Sequence, residues 1–190
     1  MEIRILQNEE IKIASGLSRY VFDACLRNRM EYPQTIAFVE TYITEENLVK
    51  MCEERKLLLW GAFEGEQLVG VSGLQSDGMI TMLYVLPQYA NRGYGSALIG
   101  VMREYAKDVY DLPQVVVNAT PAWTSSYFAK QGFAYDHHNM HVPFITMRAK
   151  SGANPMFEKK HVPVKVMIGA AVGCLIFATV ACIAYLIWYT

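Results

Sequence analysis

The 190 residues hold four cysteines, Cys25, Cys52, Cys174 and Cys182, and no two stand at a metal-ligand spacing. That leaves neither a zinc pattern nor a disulfide framework, and it suits a reducing compartment. Excess charge is missing as well. Seventeen basic residues against 18 acidic ones give a net charge of −1, so nothing speaks for a nucleic-acid partner. Met1-Glu2-Ile3-Arg4-Ile5 is charged from its second residue and lacks the apolar stretch of a secretory leader. No internal repeat or low-complexity tract occurs. Two nucleotide-binding patterns are incomplete. Leu98 stands where a dinucleotide fingerprint needs its third glycine, and no lysine follows Gly95 as a P-loop requires. Gln114 to Val117 then ends in Asn118, with no acidic partner for a ribose.

What is present centres on Met79 to Tyr105. Met79 to Leu86 is β-branched, aromatic and apolar and predicts a strand. Pro87 stops it, having no N–H for a ladder. Leu98, Ile99, Val101, Met102 and Tyr105 then recur at helical spacing. The junction is Arg92-Gly93-Tyr94-Gly95-Ser96. Two glycines allow a tight turn and close approach of a ligand. Free N–H groups and the positive end of the helix dipole favour an anion there. Arg92 adds a forked, permanently charged donor. The expected ligand carries a diphosphate and sits on residues 92 to 97.

Around this unit the chain predicts a fold. Glu2 to Leu6 is a strand. Asn8 is a candidate N-cap for a helix to about Arg27, with Ile13, Leu17, Tyr20, Val21 and Ala24 on its apolar face. Thr35 to Arg55 is helical and divides at Thr44, a second N-cap. Leu57 to Phe63, Leu68 to Leu74 and Met79 to Leu86 form an antiparallel meander, with Asp77-Gly78 as one hairpin turn. A helix over 93–109, a strand over Val115 to Val117 and a short helix over Pro121 to Lys130 follow. Tyr135 to Met140 and Val142 to Arg148 close as a hairpin. The class is α+β, with α/β character around the ligand loop. Ala149 to Pro163 carries Ser-Gly and Asn-Pro steps and breaks both periodicities, as a linker does.

Leu83-Tyr84-Val85-Leu86-Pro87 followed by Arg92-Gly93-Tyr94-Gly95-Ser96-Ala97-Leu98 resembles the central motif of the GNAT-type N-acetyltransferases. The order of elements agrees over residues 2 to 148. So do Val117-Asn118-Ala119 and the helix ending Tyr127-Phe128-Ala129-Lys130-Gln131-Gly132-Phe133. The resemblance implies a mostly antiparallel central sheet flanked by helices and acetyl-CoA as acyl donor. It implies that Arg92, Gly93, Tyr94, Gly95, Ser96 and Ala97 hold the pyrophosphate, that Leu83, Val85 and Asn118 meet the pantetheine arm, and that no metal takes part. The family often carries Gln or Arg three places before the first glycine, where this chain has Ala90. The acceptor would be a small-molecule or peptide amine. The backbone N–H of Val85 would serve the oxyanion, and a tyrosine of the last short helix would return a proton to the thiolate. Counted from Gly132 the tyrosine position is Phe128; counted from Asn118 it is Tyr127. These two point about 100° apart on a helix. No carboxylate stands in Met79 to Val85, which leaves Glu31 as a candidate base. His137, His138 and His141 lie near the closing hairpin as further proton carriers. A non-catalytic acyl-CoA-binding module is the competing reading.

Val166 to Tyr189 is 24 residues without Asp, Glu, Lys or Arg. As a helix it would be about 36 Å long, enough to cross a hydrocarbon core of about 30 Å. The expected organisation is therefore a domain over 1–148, a linker over 149–164 and a single-pass C-terminal anchor over 165–190. Arg148, Lys150, Lys159, Lys160 and Lys165 precede the segment and only Thr190 follows it, which predicts that the domain faces the cytoplasm. Gly169 and Gly173 form Gly-x-x-x-Gly, a candidate homodimer face within the membrane.

Overall fold

In the computed structural model, the structure describes residues 1–141, 144–152 and the pair Val166–Met167, with the side chains of residues 138–141 and 166–167 left aside. The elements run β1 Glu2–Ile5, α1 Ile11–Val21, α2 Pro33–Tyr42, α3 Glu45–Glu53, β2 Leu57–Glu64, β3 Gln67–Gln75 and β4 Met79–Val85. They continue with α4 Tyr94–Asp108, β5 Gln114–Ala119, α5 Ser125–Lys130, β6 Ala134–His141, β7 Phe144–Lys150 and β8 Val166–Met167. The strand order is β6-β7-β5-β4-β3-β2-β1-β8. Pairing is antiparallel except at β4–β5 and β1–β8. The predicted meander is present, and so is the division at Thr44, whose hydroxyl accepts from the Asn47 N–H at 3.4 Å.

The sheet has a core on each face. α4 and α5 cover one, where Leu98, Ile99 and Met102 meet Val69, Leu74 and Val115. α1 to α3 cover the other, where Ile11, Leu17, Phe22 and Leu48 meet Leu59 and Val71. The buried stripe of α1 is Ile11, Ala14, Ser15, Leu17, Ser18 and Val21, the i, i+3, i+4, i+7 pattern. Ile13 and Tyr20, expected on that face, are 61% and 55% exposed, because each lies well round the helix from the stripe. The helix starts differently too. Gln7, not Asn8, precedes its first turn, and the Gln7 N–H donates to the Glu10 carboxylate at 2.9 Å. At its C-terminal end Phe22–Leu26 widens into a π turn, which leaves Ala24 exposed.

α5 ends in a Schellman motif. The Phe133 N–H donates to Phe128 O at 3.1 Å and the Gly132 N–H to Ala129 O at 3.0 Å, with Gly132 at φ +82°. β7 runs to Lys150, and the Ser151 and Gly152 N–H groups bond to Pro113 and Arg103 carbonyls, so the folded unit passes the expected boundary at 148. Val166 and Met167 pair with Ile3 and Arg4 as a strand rather than opening a helix. The rest of the apolar segment, with Gly169 and Gly173, lies outside the described residues. Among the described residues no helix is long and apolar enough to cross a membrane.

Candidate active site

The site begins with a fault in the sheet. β4 pairs with β5 only at Met79–Val116 and Ile80–Val117, although both strands continue. Between Leu74–Ile80 and Gly73–Met82 the β3–β4 register skips Thr81. Such a bulge bends its strand and re-aims it, so β4 leaves β5 and follows β3. The Leu86 N–H donates to Val69 O at 2.9 Å. Alternation along the ladder then turns the N–H and C=O of Leu83 and Val85 away from β3, towards the gap. β5 stays with β7, where Asn118 faces Thr146. A cleft of about 770 Å³ opens between the two strands.

The start of α4 closes one end of this cleft. Gly93 is the N-cap, at φ +91°. The Ala97 N–H makes the first helical bond, to Gly93 O at 2.9 Å. The N–H groups ahead of it have no partner within the helix and point out of its N-terminus. The two glycines answer different needs. A Cβ on Gly93 would meet nothing within 4 Å, so its requirement is the left-handed backbone; a Cβ on Gly95 would stand 2.6 Å from the Tyr127 hydroxyl oxygen. Arg92 is exposed, with its guanidinium 5.2 Å from the Tyr89 ring centroid. The Tyr94 side chain is buried and donates to the Glu64 carboxylate, so what Tyr94 offers a ligand is its backbone N–H.

Tyr127 and Phe128 both line the cleft, and they differ in their surroundings. Phe128 is 7% exposed and packs edge-on against Phe133, ring centroids 5.6 Å apart, as the Schellman motif dictates. Tyr127 has its hydroxyl over Gly95 and near Ser96. Burial raises its pKa above the ordinary phenol value, and the nearby Ser96 side chain opposes this. The phenol is therefore protonated at neutral pH. Asn118 also lines the cleft. The Thr146 hydroxyl donates to its Oδ1 at 2.9 Å, which leaves the amide NH₂ to face outward as a donor.

Leu83, Val85, Gly93, Tyr94, Gly95, Ser96, Asn118 and Tyr127 thus come together, with Ala97 and Arg92 beside them. Glu31 does not join them. It is exposed on the loop before α2, and its neighbour Met30 lines the cleft instead. His137 is exposed, while the side chains of His138 and His141 are outside the described residues. Among the described residues no three metal-ligating side chains cluster. Sequence reasoning missed the far wall of the cleft, made by Val21, Cys25, Leu26 and Val39, and Trp123 at the mouth, with the Arg29 guanidinium 5.4 Å from the Trp123 ring centroid. The signal was available only in part, because the π turn that turns Cys25 and Leu26 inward leaves no mark in the apolar pattern.

The profile of the acetyltransferase (GNAT) domain matches residues 26–151. The chain belongs to the GNAT acetyltransferase family. Solved structures agree in fold. PaiA N-acetyltransferase from Thermoplasma acidophilum, determined in complex with coenzyme A, superposes with a TM-score of 0.64 at 17% identity over 79% of this chain and 99% of its own. A GCN5-related N-acetyltransferase from Rhodopseudomonas palustris gives 0.63 at 19% identity, over 80% and 94%. A mutant of the spermidine N-acetyltransferase SpeG from Vibrio cholerae gives 0.55 at 15% identity, over 78% and 92%. No curated protein sequence matches the chain.

Proposed function

We propose that this GNAT chain transfers an acetyl group from acetyl-CoA to a primary amine, and that residues 168–189 hold it at a membrane. One observation carries the catalytic reading. The unpaired edge of β4, the N-terminus of α4 and the Tyr127 hydroxyl meet in a single cleft. The fit of the donor rests on the same features: Gly95 keeps clear a space that a Cβ would fill, and Leu83 and Val85 present backbone groups that an extended amide-bearing arm can pair with. The N–H groups of Tyr94, Gly95 and Ser96, with Arg92 beside them, would hold the pyrophosphate.

Acetyl-CoA supplies the acyl group as a thioester. The Val85 N–H stabilises negative charge on the carbonyl oxygen. The cleft walls hold a neutral amine against the carbonyl carbon. As the N–C bond forms and the C–S bond breaks, the amine's proton leaves to solvent, and Tyr127 gives its proton to the departing sulfur. Among the described residues the cleft lining holds no carboxylate, which favours solvent in the first of these roles, and Glu31 is exposed on the loop before α2. The same lack of a carboxylate is the one observation favouring a non-catalytic acyl-CoA-binding module. Release of free CoA thiol from acetyl-CoA in the presence of a broad amine panel separates the two. Turnover supports the transferase; tight acetyl-CoA binding without turnover on any amine supports the binding module.

The membrane reading rests on hydropathy. With Val166 and Met167 in β8, residues 168–189 remain, about 33 Å as a helix and still sufficient to span. The basic residues ahead of the segment support a cytoplasmic domain.

A further inference from the structure

The cleft runs through the sheet and has two dissimilar ends. The α4 end holds the polar groups described above. The opposite end is walled by Val21 and Leu26 from the first helical stretch, Met30 from the following loop and Val39 from α2. Among the described residues that line the cleft, none is Asp or Glu, and the lining cation is Lys130. Arg29 adds a second positive charge at the mouth, over Trp123.

Resting on the transferase reading, we propose that the acceptor is a monoamine with an apolar body, and that polyamines are excluded. A polyamine brings two or more ammonium groups. Each needs a carboxylate or a ring of acceptors when it leaves water, and burial without one is strongly unfavourable. Among the described residues the lining offers neutral hydroxyls and amides but no carboxylate, and its Lys130, with Arg29 at the mouth, repels cations. A monoamine meets the opposite conditions. Its single nitrogen must lose its charge in order to attack, and an apolar wall lowers the pKa of an ammonium by desolvation. Its body buries apolar surface against Leu26, Met30 and Val39, and the exposed Trp123 ring gives a flat surface at the entrance. The likeness to SpeG at 15% identity is one of fold, and the acceptor side of the cleft here is chemically unsuited to spermidine.

The test uses the full chain in detergent, with 2-phenylethylamine and spermidine as acceptors at saturating acetyl-CoA. Initial rates of CoA release should give the higher kcat/KM with phenylethylamine. Met30→Glu should lower that value and raise the one for spermidine, each by about tenfold or more, as expected when a charge-assisted contact is added to an apolar wall. Calorimetry of phenylethylamine binding to the CoA-loaded protein gives a second readout that does not need turnover. Spermidine as the better wild-type substrate overturns the proposal, and so does a Met30→Glu variant with both values unchanged. Acetyl-CoA binding without binding of either amine removes the acceptor assignment alone. Failure to bind acetyl-CoA removes the transferase reading with it.

Discussion

Gly93 and Gly95 look equivalent in the sequence and differ in physics. Gly93→Ala puts a Cβ into a left-handed backbone and should cost about 1 kcal/mol, read as a lower urea midpoint at an unchanged slope. Gly95→Ala has an ordinary backbone but displaces the Tyr127 hydroxyl, so it should keep stability and lose turnover. Tyr127→Phe should lower kcat by on the order of 10²-fold with little change in acetyl-CoA affinity. The sign of the pH effect follows from burial. Because the folded pKa of Tyr127 is raised above the unfolded value of about 10, its contribution to stability is complete below that pH and is lost as pH rises towards the folded value. Alkaline loss of activity from this group should therefore begin above about pH 10, and a pH–rate profile of wild type against Tyr127→Phe checks it. The turn at Gly93 and the helix start behind it were legible at single-residue level because paired glycines between a strand and a helix mark a tight turn and an open helix N-terminus by themselves. The different surroundings of Tyr127 and Phe128 were not, since they turn on which ring Gly132 and Phe133 draw towards the core.

Strand β4 carries the element that makes the cleft. Its antiparallel neighbours and its Pro87 stop could be read from alternation and turn residues, but the bulge at Thr81 could not, since a one-residue skip leaves composition unchanged. The same holds for α1. Its existence followed from helical periodicity, while the stripe actually buried and the π turn depend on packing against β3 and β4. At the start of that helix Glu10 accepts from Arg4 at 2.7 and 2.5 Å and from the Gln7 N–H at 2.9 Å. The Arg4 bond chiefly holds its carboxyl below the ordinary range. A carboxyl lowered in this way stabilises the fold above its unfolded pKa, and the gain is lost as pH falls through the folded value. Glu10→Gln should lower stability by about 1 kcal/mol at pH 7, and the difference from wild type should shrink below about pH 4. Urea unfolding at the two pH values measures it.

The molecule joins two cores through one sheet, and the parting of β4 from β5 joins their surfaces. That arrangement explains why the family was legible over most of the chain while the acceptor side was not: the loop and strand have a fixed local grammar, and the far wall is assembled from three separate elements. The proposed membrane segment makes a separate prediction for the intact protein. After lysis and high-speed sedimentation the chain should be found in the membrane fraction, and protease added to sealed cells should leave the domain intact until the cells are opened. Recovery in the soluble fraction would remove the anchor, and digestion in sealed cells would reverse the orientation. Beneath all of this lies the assignment of the α4 loop and the β4 edge to acetyl-CoA. Calorimetric titration of acetyl-CoA into the detergent-solubilised full chain and into Gly95→Glu, with circular dichroism verifying that both are folded, tests that assignment. The wild type should bind, and the variant, which puts bulk and negative charge at the helix N-terminus, should bind roughly a hundredfold more weakly or not at all; equal affinity in two equally folded proteins would contradict it.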